Sequence, residues 1–238
     1  MISEHLAPSG TLRASINLGN PILAGRDDAG QPAGVSVDLA HELGRRLGVP
    51  VELVTFERAA ESVDAVRAER ADIGFFAVDP ARSDGLLFTA PYVLIEGSYL
   101  VPDASPVTEN SQVDRLGNRI SVGTGSAYDL FLTREIGTAE IVRWIGADAP
   151  LAALRNGEVE IAAGIRQVLE TEAARQPGVR VLPGRFMVIQ QAMGVPSGRG
   201  AAAQSDLAAF VEEMKASGFV ADSLARHHVE GGTVAPLA

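Results

Sequence analysis

The stretch Ile73-Gly74-Phe75-Phe76-Ala77-Val78-Asp79-Pro80-Ala81-Arg82 decides how this chain is to be read. Residues 73–78 form a short, almost fully apolar run. Such a run suits a central parallel strand buried on both faces. The polar turn that follows carries Arg82 to the carboxyl end of that strand, where open α/β sheets bind their ligands. Working back toward the N-terminus, Ala59–Arg70 sets Val63 and Val66 against a charged face and reads as a surface helix. Val49–Phe56 is rich in β-branched residues and reads as a strand. In Asp38–Gly48 the residues Leu39, Leu43 and Leu47 recur every four positions, with Gly48 as a stop. Leu12–Leu18 is the first strand, closed by the turn Gly19-Asn20-Pro21. The order βαβαβ predicts a parallel sheet with right-handed crossovers.

Working forward, Val101–Pro106 is turn-rich and reads as a linker. The same alternation then returns: a strand at Ile120–Val122, a helix at Ser126–Thr133 and a strand at Ile141–Ile145. A helix at Pro150–Asn156, a strand at Glu160–Ala163 and a helix at Val168–Arg175 follow. No sequence repeat accompanies the architectural one. Leu207, Phe210, Val211 and Met214 fall on one helical face, with Ser205 as expected N-cap and Gly218 just past the end. A short helix is expected around Val220–His227.

Composition narrows the chemistry. The 238 residues are 46% hydrophobic and 21% charged, ordinary values for a globular protein of one large or two modest domains. There is no cysteine, which excludes disulfide scaffolds, zinc-thiolate sites and thiol nucleophiles. A net charge of −10 opposes nucleic-acid and anionic-membrane partners. No apolar run approaches the roughly 20 residues of a membrane helix. The four histidines lack metal-ligand spacing, and neither a metal nor a cofactor is expected. His227-His228 reads as a solvated helix end. The opening residues lack a basic segment followed by an apolar core, so a cytoplasmic location is expected for the chain as written, and a periplasmic one if a leader has been removed.

Three segments could carry a ligand. In Phe76-Ala77-Val78-Asp79-Pro80-Ala81-Arg82, Arg82 can grip a carboxylate with two parallel hydrogen bonds, or pair with Asp79 or Asp84. Val122-Gly123-Thr124-Gly125-Ser126-Ala127-Tyr128-Asp129 is a strand, a glycine turn and a helix start, whose N–H groups and partial positive charge suit an anion. Ser126 and Asp129 also fit a capping box. The turn lacks both the dinucleotide fingerprint and a P-loop lysine. Asn17-Leu18-Gly19-Asn20-Pro21 offers two amides, Asn17 and Asn20, which either read a polar ligand or only make the turn.

These residues resemble a known family. Gly34-Val35-Ser36-Val37-Asp38-Leu39-Ala40 is similar to a signature of the family 3 extracellular solute-binding proteins, the binding components of polar amino-acid ABC transporters. Asp79-Pro80-Ala81-Arg82, Phe88-Thr89-Ala90-Pro91-Tyr92, Gly125-Ser126-Ala127 and Ala192-Met193-Gly194-Val195 match further family motifs in order. The resemblance implies a two-lobed α/β fold of the periplasmic-binding-protein type 2 class. Lobe 1 would comprise residues 1–100 plus 194–238 and lobe 2 residues 101–193, with Tyr99–Val101 and Met193–Val195 as hinge strands closing a cleft on the ligand. It further implies that Arg82 holds a ligand carboxylate and that Gly125, Ser126 and Ala127 supply donors; Phe76, Ala77, Asn17, Asn20 and Tyr128 are the further candidate ligand residues.

Departures from the family matter too. Ala77 lacks the usual nearby hydroxyl, Ile22 and Leu23 replace an aromatic residue, and Ala163-Gly164-Ile165-Arg166-Gln167 lacks the aspartate that meets an ammonium group. Arg166 there suits a second acidic group instead, unless it points to solvent, or unless Asp79, Glu96 or Asp129 takes the amine. The expectation is therefore a non-enzymatic, monomeric binder of a small carboxylate, with an ABC permease as partner if the chain is exported. The alternative is a small-carboxylate dehydratase using Glu96, Asp79 or Glu170 as acid or base. A third is a soluble sensor.

Overall fold

A computed structural model describes residues 5–146 and 148–238 of the chain. The chain divides into two compact units, Met1–Leu94 with Gln190–Ala238 and Ile95–Ile189.

The first unit opens with β1 (Leu12–Asn17), α1 (Val35–Leu47), β2 (Val51–Phe56), α2 (Ala59–Arg67) and β3 (Ile73–Ala77). The long strand β4 (Leu86–Pro102) leads out of it. The second unit continues with β5 (Arg119–Gly123), α3 (Ala127–Glu135), β6 (Glu140–Trp144), α4 (Ala149–Arg155), β7 (Ile161–Ile165), α5 (Arg166–Arg175) and β8 (Val179–Val181). Strand β9 (Met187–Pro196) returns to the first unit, completed by α6 (Gly200–Ala216), α7 (Phe219–Arg226) and β10 (Thr233–Val234).

In the first unit β1 lies between β2 and β3, parallel to both, so the expected βαβαβ order is present. Strand β3 is buried along its whole length, as its apolar run predicts. Its other neighbour, β9, runs antiparallel, with Gln191 opposite Ala77 and Gly194 opposite Gly74. The sheet is thus mixed, because the strand covering β3 arrives from the far end of the chain rather than through a crossover helix. Beneath it Val63, Val66, Ala71, Phe76 and Leu86 form one cluster, with Phe88 packed against it. Each valine, leucine or phenylalanine side chain of the cluster stabilises by about 1.5–3 kcal/mol when fully buried.

In the second unit β5 lies between β6 and β7, parallel to both, and β7 pairs antiparallel with the end of β4. Strand β8 also pairs antiparallel with β4. Two clusters cover the faces, one around Ile120, Val122, Leu132 and Ile161, the other around Leu151, Leu154, Val159 and Leu169.

Three expectations are corrected. Val101 and Pro102 are not linker but the last rungs of β4, opposite Arg180 and Val179. Proline is tolerated there because it closes the strand. Helix α6 starts at Gly200 rather than after Ser205. Its first turn is Ala201-Ala202-Ala203, helix-favouring residues that a search for large apolar side chains overlooks. His227 is not a solvated helix end: its Nε2 lies 3.0 Å from Asp38 Oδ2, which also accepts from Ser223 Oγ and Arg226 Nη1 at 2.6 Å.

Candidate functional site

Each unit carries two loops at the carboxyl ends of adjacent parallel strands. In the first unit these are the loop after β1 and the turn after β3. In the second they are the turn after β5 and the start of α5 after β7.

The turn after β3 is a single 3₁₀ turn, Pro80–Arg82. Asp79 caps it, its Oδ1 accepting the Ala81 N–H at 2.9 Å. Proline at the first position costs nothing, since that N–H has no partner within the turn. The turn folds the Arg82 side chain inward, where it is only 5% exposed. Its Nη1 donates to the Ala77 carbonyl at 3.1 Å. Burial pushes the Arg82 pKa down to about 10, and the nearby Asp79 carboxylate offsets part of that. A guanidinium tied to its own strand end, and buried, is oriented before any ligand arrives. Phe76 belongs to the core by its side chain, edge-on to Phe88 at 6.2 Å.

After β1, Asn17 Oδ1 accepts the Gly19 N–H at 3.0 Å, an Asx turn. Gly19 is required there, because a Cβ would come within 2.4 Å of the Glu57 carbonyl oxygen. The Asn20 carbonyl accepts the N–H groups of Leu23 and Ala24, both at 3.0 Å. Asn20 Oδ1 is buried and has no hydrogen-bond partner among the described residues.

After β5, Ser126 caps α3 by accepting the Asp129 N–H at 3.1 Å. Asp129 completes the box one residue earlier than the usual pattern: its Oδ2 accepts the Gly125 N–H at 2.8 Å. Gly125 has φ +71°, a conformation that favours glycine. Asp129 is buried, and its Oδ1 receives Arg143 Nε at 2.9 Å and the Thr133 hydroxyl at 3.3 Å. The Ser126 N–H donates to the Gly123 carbonyl at 3.1 Å. Two donors expected for a ligand, the Gly125 and Ser126 N–H groups, therefore build the turn itself. The N–H groups of Ala127 and Tyr128, first in the helix, have no acceptor within it. The half-buried Tyr128 has its phenol pKa raised, by burial first and by Asp129 second, against a hydrogen bond from Ser126. Arg143 and Thr133 are members of this network that sequence reasoning did not single out; an arginine in a strand carries no local signal of its partner.

After β7, the Arg166 guanidinium is engaged on three sides. Its Nε donates to Glu96 Oε2 at 2.9 Å, Nη1 to Glu170 Oε1 at 3.3 Å, and Nη2 to the Gly184 carbonyl. Glu96 also takes Arg185 Nη1 at 2.7 Å. Its carboxyl is held below the usual range, by Arg185 first and then by Arg166, against the effect of burial. The neighbouring Gln167 Oε1 is buried without a partner among the described residues. Among the described residues no group of three His, Asp or Glu side chains could hold a metal ion, and no helix is long and apolar enough to cross a membrane.

The sequence model of the bacterial extracellular solute-binding proteins, family 3, matches residues 12–229. The chain belongs to that family. No match is found among curated proteins. Several solved structures share the fold of this family 3 protein. A mutant of ArgBP from T. maritima aligns with a TM-score of 0.79 at 19% identity, over 97% of this chain and 100% of the other. The solute receptor for L-cysteine of Neisseria gonorrhoeae aligns with a TM-score of 0.79 at 23% identity, over 92% and 90%. The ancestral amino acid-binding protein AncCDT-1, a precursor of cyclohexadienyl dehydratase, aligns with a TM-score of 0.78 at 19% identity, over 95% and 99%. The α/β architecture is thus that of the two-lobed periplasmic binding proteins, as the motif order predicts.

Proposed function

We propose that this family 3 protein binds, without chemical turnover, a small carboxylate-bearing solute: an amino acid or a related organic acid. Arg82 holds the carboxylate. The Ala127 and Tyr128 N–H groups and the Ser126 hydroxyl supply further donors, on a turn shaped by Gly123, Gly125 and Asp129. Ala77, Phe76 and the Asn17–Asn20 loop set the Arg82 side. The observation that carries the reading is the buried Arg82 guanidinium, fixed by the Ala77 carbonyl at the carboxyl end of β3. Solved structures described as an ancestral arginine-binding protein and a solute receptor for L-cysteine support the ligand class. Arg166 is best read as a support for the start of α5, since Glu96, Glu170 and Gly184 already surround it. In this reading the protein serves an ABC-type uptake system, handing its ligand to a permease, or acts as a soluble sensor.

The dehydratase alternative draws no support from its candidate acids. Glu96 is held at a lowered pKa by two arginines, the opposite of what a general acid at neutral pH needs. Glu170 serves Arg166, and Asp79 caps its own turn.

Calorimetric titration with a panel of amino acids and small organic acids tests the proposal. Arg82→Met keeps the buried stem and removes the fork. It is expected to lower affinity for any bound carboxylate at least a hundredfold, with the circular-dichroism spectrum unchanged. Unchanged affinity in that variant would sink the assignment.

A further inference from the structure

Gln191 of β9 is only 5% exposed. The other buried polar side chains of the described residues all hydrogen-bond, from Ser15 on Ser62 to Lys215 on Pro91. The Gln191 amide makes no hydrogen bond among the described residues. Buried polar groups are almost always paired, and each exception calls for an explanation. This amide is not sealed in, for neither of its atoms is among the fully enclosed polar atoms without a partner. The stem is buried while the tip still meets solvent.

Strand pairing places that tip. Gln191 lies opposite Ala77 in the antiparallel β3–β9 ladder. Directly opposed residues carry their side chains on the same face, with Cβ atoms about 4.5–5.5 Å apart. The Ala77 side chain is a methyl group, too short to reach the amide. One rung further the Val78 N–H donates to the Gln190 carbonyl at 2.8 Å. Ala77 is the last residue of β3, and its carbonyl takes Arg82 Nη1 at 3.1 Å. The Arg82 guanidinium and the Gln191 side chain therefore share one residue at one strand end, within the first unit.

A primary amide offers one acceptor and two donors. Next to a guanidinium that holds a carboxylate, it can bond a polar group on the neighbouring carbon of the ligand. Its neutrality does not choose between an ammonium and a hydroxyl, and the buried Asp79 beside Arg82 can balance the charge of the former. Resting on the carboxylate reading above, we infer that Gln191 is a ligand-binding residue, whose amide hydrogen-bonds an amino or hydroxyl substituent on the carbon next to the ligand carboxylate.

Calorimetry on the full chain tests this with pairs that differ only in that substituent: arginine against 5-guanidinopentanoate, cysteine against 3-mercaptopropanoate, and glutamate against glutarate. In each pair that binds, the substituted acid should bind about tenfold tighter. Gln191→Met, an apolar side chain of similar length, should remove most of that advantage and leave the affinity of the unsubstituted acid unchanged. It should also leave the ligand-free melting temperature unchanged or raised, because an amide without a partner gives way to an apolar group. A purely structural Gln191 would show the reverse, a lowered melting temperature with the advantage intact, and that result overturns the inference. If Arg82→Met abolishes binding of both members of a pair while Gln191→Met alters neither, the carboxylate reading stands and this inference falls. If Arg82→Met leaves every affinity unchanged, the carboxylate reading falls and takes this inference with it.

Discussion

Arg82 and Asp129 show how single residues set the chemistry of a loop. Arg82 is buried among its own backbone, and burial alone lowers its pKa to about 10. Burial thus weakens the hold of this guanidinium on its proton. Carboxylate affinity should hold from pH 6 to 9 and fall as pH rises through about 10, with circular dichroism showing that the fold persists. Asp129 works in the other direction, as a buried anion that organises rather than binds. It joins the Gly125 turn and Thr133 of its own helix to Arg143 on strand β6. Asp129→Ala leaves the Gly125 N–H and the Arg143 guanidinium without that acceptor. A destabilisation of about 1–3 kcal/mol is expected by urea unfolding, with ligand affinity reduced alongside. A variant as stable as the wild type would show that the turn holds itself.

At the scale of elements, loops at strand ends are held by close backbone contact, and helices by their charged flanks. Gly19→Ala would drive a Cβ into the Glu57 carbonyl, 2.4 Å away. Backbone cannot yield cheaply, so a loss of roughly 1–3 kcal/mol and a displaced Asn17–Asn20 loop are expected, the second visible as weaker ligand binding. Helix α1 carries the clearest acid response. Hydrogen bonds from Arg45 first, then Arg46, hold the Glu42 pKa at about 2, against 4.5 for the ordinary group. A depressed acid contributes stability above its unfolded pKa and loses it as pH falls through the folded one. The contribution is therefore complete above about pH 4.5 and fades toward pH 2. Glu42→Gln should lower stability at neutral pH, with the difference from the wild type shrinking toward pH 2, where the wild-type group is itself protonated.

At the scale of the molecule, the first unit is built from two distant pieces of chain, and specific polar locks join them. Asp72, 0% exposed in its side chain, takes Arg13 Nη2 at 2.7 Å and Arg199 Nη2 at 2.9 Å, tying β1 to the segment before α6. Lys215 of α6 donates to the carbonyls of Pro91 and Pro236 at 3.2 and 2.8 Å. Asp38 of α1 gathers three side chains of α7 and its end. Removing one partner of such a buried pair strands the other charges, so Asp72→Ala should cost about 3–5 kcal/mol in chemical denaturation. Loss of less than about 1 kcal/mol would mean that the arginines find other partners.

The sequence by itself determined the βα alternation, the buried strand Ile73–Ala77, the capping serine Ser126 and the order of motifs that marks the family. These rest on local causes: apolar periodicity, cap chemistry and spacing along the chain. The mixed sheet was illegible because the neighbour of β3 is β9, more than a hundred residues away, and no local pattern announces such a pairing. The edge of the candidate site was legible in Arg82, yet its electrostatics were not. Only tertiary structure decided that Arg166 is surrounded by Glu96, Glu170 and Gly184, that Asp129 takes the Gly125 N–H, and that the Asn20 oxygen has no hydrogen-bond partner among the described residues. A residue's type sets what it can donate or accept, whereas its partners depend on which strands and turns the fold brings within three ångströms of it.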